Sequence, residues 1–139
     1  MPDYDPVQIL LVDDDDVDVM NVQRAFRKGN LLNSLVVARD GAEGLLALRS
    51  GALNSRRRIV LLDLNMPRMN GIEMLREVRR DPALRNIPVV VLTTSNEEQD
   101  RADAYGLHVA GYLLKPVTFA RFVELMTTLN RYWQMVEHP

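Results

Sequence analysis

The chain has 139 residues, of which 47% are hydrophobic and 26% charged, and its formal net charge is -2. These values are ordinary for one globular domain with a single core, and the slight negative charge argues against nucleic-acid binding. Without cysteine, a disulfide, a thiolate nucleophile and a Cys-ligated zinc site are excluded, and the two histidines, His108 and His138, are too scattered for a His-rich metal site. The acidic, Pro-punctuated start is unlike a secretory signal, and no apolar run could span a bilayer, so a cytoplasmic protein without membrane attachment is expected.

Short apolar runs alternate with longer amphipathic stretches, which is typical of βα units around a parallel sheet. The runs predict five strands, at about Gln8 to Val12, Leu35 to Arg39, Ile59 to Leu62, Val89 to Leu92 and Gly111 to Leu114. Each run is almost continuously apolar, as expected for strands that are covered on both faces. With five helices in the intervals and after the last strand, the prediction is an α/β, doubly wound, flavodoxin-like fold with the strand order 2-1-3-4-5.

Polar residues and glycines predict where the helices begin. Asp15 or Asp16 can cap the first helix, and the remaining helix starts lie near Gly41, Gly71, Asn96 and Thr118. We interpret Asp15, Asp16 and Asp18 as a solvated helix start that the helix dipole stabilises. The segment Arg56-Arg57-Arg58 is interpreted as a solvated loop before the third strand.

A polar side chain follows each of four predicted strands. Asp13 and Asp14 follow the first strand, Asp63 the third, Thr93 the fourth and Lys115 the fifth. In an open parallel sheet the ligand crevice lies beyond the carboxyl ends of the strands, where the strand order reverses. The four strand ends therefore predict one shared site.

The charges of this predicted site require cations. Three carboxylates at about 4 Å repel one another by a few kcal/mol per pair at an effective dielectric near 20. Lys115 and one divalent cation would balance the charges of Asp13, Asp14 and Asp63, and all-oxygen ligands favour Mg²⁺ over zinc. Such a site is open to a phosphoryl group, which Asp63 could accept as a nucleophile while Lys115 and the Thr93 hydroxyl contact the phosphoryl oxygens.

Four motifs carry a resemblance to the receiver domain of two-component response regulators. They are Leu11-Val12-Asp13-Asp14, Leu62-Asp63-Leu64-Asn65-Met66-Pro67-Arg68-Met69-Asn70-Gly71, Leu92-Thr93-Thr94-Ser95 and Gly111-Tyr112-Leu113-Leu114-Lys115-Pro116. The resemblance runs through essentially the whole chain. It implies a single receiver domain over residues 1–139, with an extended C-terminal helix and tail from about residue 118.

The resemblance also implies roles for the site residues. Asp63 would be the phosphoacceptor, and Asp13, Asp14 and Asp63 would hold Mg²⁺ with the backbone carbonyl of Asn65. Lys115 would contact the phosphoryl group, which a sensor histidine kinase would donate. The protein would catalyse only its own phosphorylation and dephosphorylation, and so would not be an enzyme acting on other substrates.

The resemblance further implies that Thr93 and Tyr112 form a switch pair. A phosphoryl group on Asp63 would draw the Thr93 hydroxyl inward and leave space for Tyr112, although core packing accounts for Tyr112 equally well. The Lys115-Pro116 peptide bond is expected to be cis. With no effector domain following the receiver, output is expected to pass to a docking partner or to a histidine phosphotransfer protein.

The C-terminal segment carries a narrower resemblance. An apolar stripe at alternating spacings of three and four residues runs through Phe122, Met126, Leu129, Trp133 and Val136. The stripe and the chain's end resemble single-domain regulators that pair with phytochrome-type kinases, some of which dimerise through this extension. A homodimer with Phe122, Trp133 and Val136 in its interface is therefore expected, with a bacteriophytochrome as the candidate kinase.

The sequence is also compatible with two functions other than that of a phosphoaccepting receiver domain. A phosphatase of the haloacid dehalogenase type also uses an Asp nucleophile, but it needs a second Asp two residues later as general acid and base. Asn65 occupies that position and cannot exchange a proton near neutral pH. A receiver-like scaffold that never accepts phosphate is the third possibility.

Overall fold

The structure is a computed structural model that describes residues 7–28, 34–55, 57–66, 69–94 and 96–115, and then residues 118, 120, 121, 123–125, 127, 128 and 131. In chain order the elements are β1 (Gln8–Val12), α1 (Asp16–Lys28), β2 (Ser34–Ala38), α2 (Gly41–Arg49), β3 (Arg58–Leu62), α3 (Gly71–Arg80), β4 (Val89–Thr93), α4 (Glu98–Gly106) and β5 (Gly111–Leu114). The described residues between 120 and 131 are helical and belong to the fifth helix.

All five strands form one parallel sheet in the order β2-β1-β3-β4-β5, which confirms the predicted fold class and strand order. The order reverses between β1 and β3, so the crevice beyond their carboxyl ends is the expected ligand position. Val12 is in register with Leu62, and the backbone N–H of Asp63 donates to the carbonyl of Val12 at 2.9 Å. The residues that follow β1 and β3 are therefore held side by side.

The core consists of one apolar layer on each face of the sheet, because successive strand residues point to opposite faces. One layer includes Leu10, Val12 and Leu62, and it extends to buried residues of α2 and α3. The other includes Leu11 and Leu61, and it packs on α1 and the fifth helix. This two-sided burial explains why the strand sequences are apolar without alternation.

Polar side chains cap α1, α2 and α3 on the carboxyl side of the strands. Asp15 accepts from the N–H of Val17 at 2.8 Å, which confirms it as the cap of α1. Asp40 caps α2, and Asn70 begins α3 in a capping box with Glu73.

The strand bounds differ from the prediction at a few ends. β2 begins one residue earlier than predicted and ends at Ala38, and β3 and β4 are each one residue longer than predicted. Strand ends depend on pairing as well as on apolar character, and Arg58 is paired with Gln8 although its side chain is charged.

The interpretation of residues 56–58 as a solvated loop is wrong for Arg57 and Arg58. Arg57 is buried, and its carbonyl accepts from the N–H of Gln8 at 2.8 Å. Arg58 is half-buried within β3, and its guanidinium donates to the carbonyl of Leu53 at 3.3 Å. Pairing between β1 and β3 draws this segment into the fold. Arg56 lies outside the described residues.

Among the residues described, no helix has both the length and the apolar character that a membrane crossing requires.

Candidate functional site at the carboxyl edge of the sheet

Three carboxylates converge where β1 and β3 end. One oxygen from each of Asp13, Asp14 and Asp63 can be chosen so that all three lie within 4.8 Å of one another. Asp13 and Asp63 are buried, whereas Asp14 is exposed. The group therefore offers only oxygen ligands and is open on one side, a donor set that suits a hard divalent cation.

Asp63 is held through both of its carboxylate oxygens. Its Oδ1 accepts from the Thr93 hydroxyl at 2.9 Å and from the backbone N–H of Asn65 at 3.2 Å. Its Oδ2 lies 3.2 Å from Nζ of Lys115. These contacts fix the orientation of a nearly buried carboxylate.

Lys115 brings a positive charge into the centre of the site. Its backbone N–H donates to the carbonyl of Thr93 at 2.9 Å, which directs the end of β5 towards β4. Its Nζ lies 2.7 Å from Oδ2 of Asp13, 2.5 Å from Oδ2 of Asp18 and 3.2 Å from Oδ2 of Asp63. The ammonium has three N–H groups, and three carboxylates surround it.

Burial and pairing shift the acidity of this cluster. Burial raises the pKa of Asp13 above its ordinary value, although the Lys115 ammonium and the N–H of Asp15 act in the opposite direction. Burial by itself would lower the pKa of Lys115, but the hydrogen bonds to Asp13 and Asp18, with the charges of Asp63 and Asp13, raise it overall. Lys115 is therefore a permanent cation at neutral pH.

Asp18 belongs to this site, contrary to its interpretation as part of a solvated helix start. The first turn of α1 places its carboxylate against Lys115. Asp16 does lie at the surface, where it pairs with Arg39.

Thr93 and Tyr112 lie on neighbouring strands. Thr93 is fully buried, and Tyr112 is 8% exposed and belongs to the apolar layer on its face of the sheet. The Tyr112 ring stacks on Tyr105 with 6.4 Å between ring centroids, and the Arg101 guanidinium lies 4.8 Å from the Tyr112 centroid. Tyr112 thus packs in the core and also contacts two residues of α4.

The structure brings together five of the predicted site residues, Asp13, Asp14, Asp63, Thr93 and Lys115. Pro116, and with it the predicted cis bond, lies outside the described residues, as do Phe122, Trp133 and Val136 of the predicted dimer interface. His108 is exposed.

Comparison with known proteins agrees with this geometry. The family model of the response regulator receiver domain matches residues 9–127. The probable methanogenesis regulatory protein FilR2 of Methanothrix harundinacea is 40% identical over 131 residues, which cover 93% of this chain and 84% of FilR2. Response regulator Rcp1 of Synechocystis sp. is 35% identical over 131 residues, which cover 92% of this chain and 89% of Rcp1.

Solved structures give the same result. The crystal structure of the Mn²⁺-bound form of Rcp1 matches with a TM-score of 0.71 and 36% identity, covering 93% of this chain and 92% of that one. The bacteriophytochrome response regulator AtBRR matches with a TM-score of 0.74 and 40% identity, covering 93% of this chain and 94% of AtBRR. The chain belongs to the response regulator receiver domain family. It is a signalling domain of two-component systems, with homologues among the phytochrome-associated response regulators.

Proposed function

We propose that Asp63 accepts a phosphoryl group from a sensor histidine kinase in the cytoplasm. The observation that carries this proposal is the convergence on Asp63, at the end of β3, of Thr93, Lys115 and the acidic pair Asp13 and Asp14, which come from three other strand ends. A carboxylate that is held by two donors, beside a cation and an oxygen-rich group, meets the requirements of phosphoryl transfer to a carboxylate.

In this reaction a carboxylate oxygen of Asp63 attacks the phosphorus of a phosphohistidine. An O–P bond forms, the P–N bond breaks, and the bonding pair returns to the imidazole nitrogen, which then takes up a proton. The product is an acyl phosphate on Asp63. Lys115 and the Thr93 hydroxyl already contact the carboxylate, so they need only small movements to donate to the phosphoryl oxygens.

Mg²⁺ is the cofactor we assign to the acidic group. Asp13, Asp14 and Asp63 would hold it together with the backbone carbonyl of Asn65. When bound, it supplies positive charge to the phosphoryl oxygens. The Mn²⁺-bound form of Rcp1 supports this assignment, because Mn²⁺ shares the preference of Mg²⁺ for oxygen ligands.

The protein catalyses only its own phosphorylation and dephosphorylation. It is not an enzyme that acts on external substrates. Asn65 argues against a phosphatase of the haloacid dehalogenase type, because an amide cannot serve as the general acid and base that such turnover needs. Its backbone N–H instead donates to Asp63.

Thr93 and Tyr112 are proposed to convert phosphorylation into a change of shape. Once Thr93 donates to a phosphoryl oxygen instead of a carboxylate oxygen, its strand end moves relative to β5, on which Tyr112 lies. Tyr112 contacts Tyr105 and Arg101, so the change reaches α4. The shift in population can be no larger than the difference in stability that the new hydrogen bonds supply.

The partners follow from the relatives and from the C-terminal stripe. Because AtBRR is a bacteriophytochrome response regulator, a bacteriophytochrome is the kinase we propose first. We propose that residues 1–139 form one receiver domain that dimerises through Phe122, Trp133 and Val136 of its C-terminal helix and tail. Output then passes to a docking partner or to a histidine phosphotransfer protein.

Incubation with Mg²⁺ and a small acyl phosphate, followed by intact mass measurement, tests the phosphoacceptor assignment. One added phosphoryl group is expected, and it should be absent in Asp63→Asn. If the mass of the protein did not increase, the interpretation as an interaction scaffold would remain. Continuing hydrolysis of phosphate esters would instead indicate a phosphatase. Retention of the increment in Asp63→Asn would contradict the assignment of Asp63.

A further inference from the structure

Lys115 has a partner that the receiver motifs do not include. Two of the three carboxylates around its ammonium, those of Asp13 and Asp63, follow β1 and β3. The third belongs to Asp18, in the first turn of α1. A helix therefore contacts the reactive end of the crevice through one side chain.

Asp18 differs from the other two carboxylates because it is not in the acidic group that could hold a metal. Asp13 and Asp63 belong to the acidic group that could hold a metal, so their oxygens are shared between that group and Lys115. Asp18 Oδ2 contacts Nζ of Lys115 from outside that group. It is thus the carboxylate that can keep hold of Lys115 while Asp13 and Asp63 change partners.

A lysine at this position needs such an anchor. Its flexible four-carbon stem has many rotamers, and fixing one of them costs conformational entropy. The Lys115 side chain is only 9% exposed, so an ammonium that left its partners would be an unpaired charge in a nearly buried place. The Asp18 carboxylate, the third partner of the ammonium, can serve as that anchor.

We propose that Asp18 is a positioning residue for phosphoryl transfer, which holds the Lys115 ammonium in the crevice with one N–H directed at Asp63. This inference rests on the proposed function, because it takes Asp63 as the phosphoacceptor. In the unphosphorylated chain that N–H donates to the carboxylate, and after transfer it donates to a phosphoryl oxygen. Asp18 keeps its own contact with Lys115 throughout.

The test compares the initial rates at which the parent and its variants are phosphorylated by acetyl phosphate in the presence of Mg²⁺. Intact mass measurement follows the reaction. Loss of the anchor in Asp18→Ala is expected to slow phosphorylation about tenfold, in keeping with the effects of misplacing a catalytic group. Asp18→Glu, which can still reach Lys115, is expected to recover most of the rate. Asp16→Ala is the matched control in the same helical turn, since Asp16 pairs with Arg39 at the surface, and it is expected to leave the rate unchanged within about twofold.

A double-mutant cycle separates positioning from a general effect of charge or folding. In a Lys115→Met background, adding Asp18→Ala should cause no further slowing, because the group that Asp18 positions is gone. An equal loss in both backgrounds would overturn the inference. So would an unchanged rate in Asp18→Ala, while the loss of phosphorylation in Asp63→Asn would still support the proposed function.

NMR of the lysine ammonium groups gives a readout that does not need phosphorylation. The Lys115 ammonium signal, identified by its loss in Lys115→Met, should exchange slowly with water in the parent and in Asp16→Ala. It should broaden or disappear in Asp18→Ala. A signal that is equally protected in Asp18→Ala would overturn the anchoring role even if that variant were phosphorylated slowly. Failure of the parent chain to be phosphorylated would overturn both this inference and the proposed function.

Discussion

The hydroxyl of Thr93 donates to Oδ1 of Asp63 at 2.9 Å, from the end of one buried strand to the end of its neighbour. Thr93 therefore need only exchange one acceptor oxygen for another when Asp63 is modified. Asp63 keeps its contacts with Asn65 and Lys115 if this hydroxyl is lost. Loss of the Thr93 hydroxyl should therefore impair the conformational response to phosphorylation more than it impairs phosphorylation itself.

Thr93→Ala is expected to accept a phosphoryl group but to signal poorly. The variant lacks the hydroxyl that ties the end of β4 to the phosphoryl oxygens, so phosphorylation no longer favours the active shape. The measurement is partner binding with and without phosphorylation, alongside intact mass to verify the modification. Thr93→Ser, which keeps the hydroxyl, serves as the control and should retain most of the response. Equal partner binding by phosphorylated Thr93→Ala and the parent would refute the role of Thr93.

Mg²⁺ should stabilise the parent protein through the acidic group. A ligand at about 100 times its Kd adds about 2.7 kcal/mol to the free energy of unfolding, if it binds only the folded state. Asp14→Asn removes an exposed carboxylate, so the variant should fold normally and lose most of this gain. Thermal melts with Mg²⁺ and with chelator make the comparison.

Asp16→Asn is the control for the Mg²⁺ experiment. Its side chain is 76% exposed and pairs with Arg39, away from the group that could hold the metal. The control should gain as much from Mg²⁺ as the parent does. If Asp14→Asn gained equally, the metal assignment would have to be abandoned.

Most of the site could be predicted because its residues follow apolar runs directly. In a parallel sheet the end of each run marks the same edge, so Asp63, Thr93 and Lys115 were placed together without any contact being known. Arg57 and Arg58 were misinterpreted because their burial comes from pairing between β1 and β3, which local composition does not record.

Asp18 was missed for a different reason. A carboxylate in the first turn of a helix already has a sufficient local explanation in the helix dipole. Only the tertiary contact between α1 and Lys115, which follows β5, reveals this role. Likewise, nothing in the sequence indicates the contacts of Arg79, because its acceptors are backbone carbonyls rather than side chains.

Arg79, near the end of α3, joins the two loops that precede β4 and β5. Its guanidinium donates to the carbonyls of Leu107 at 2.8 Å and Ile87 at 2.8 Å, and also to those of Arg85 and His108. Arg79→Lys cannot reproduce this planar arrangement of donors and should lower the free energy of unfolding by about 2 to 4 kcal/mol. Urea denaturation measures the loss.

Arg80 provides a control for Arg79 in the next position of the same helix. Its side chain is 73% exposed, and its contact with Glu77 is 3.4 Å long. An exposed pair of this kind contributes little, so Arg80→Lys should change the free energy of unfolding by less than about 0.5 kcal/mol. Similar values for the two variants would disprove the joining role of Arg79.

Asp81 should contribute to acid sensitivity. The backbone N–H of Ala83 and the guanidinium of Arg49 hold the pKa of Asp81 below its ordinary value. A group whose pKa is lowered by folding adds stability above its unfolded pKa, and that stability is lost as the pH falls through the folded pKa. Between about pH 4 and pH 2, Asp81→Asn should therefore lose stability less steeply than the parent, as followed by urea denaturation at each pH. Parallel curves for the two proteins would exclude Asp81 as a source of the acid dependence.

Gly71→Ala should distort the segment that carries Asp63. A Cβ on Gly71 would lie 2.4 Å from the carbonyl oxygen of Asp63 and 2.8 Å from Cα of Leu64, and these backbone atoms cannot be displaced without moving the site. We expect a loss of at least about 2 kcal/mol in the free energy of unfolding, with slower phosphorylation of Asp63.

Gly106, at the end of α4, is the matched glycine, because a Cβ there meets no atom within 4 Å. Gly106→Ala should be neutral or stabilising by up to about 1 kcal/mol, since alanine favours the helix and restricts the unfolded chain. Both variants are compared by urea denaturation and by their reactivity with acetyl phosphate. Equal effects of the two substitutions would contradict the close approach at Gly71.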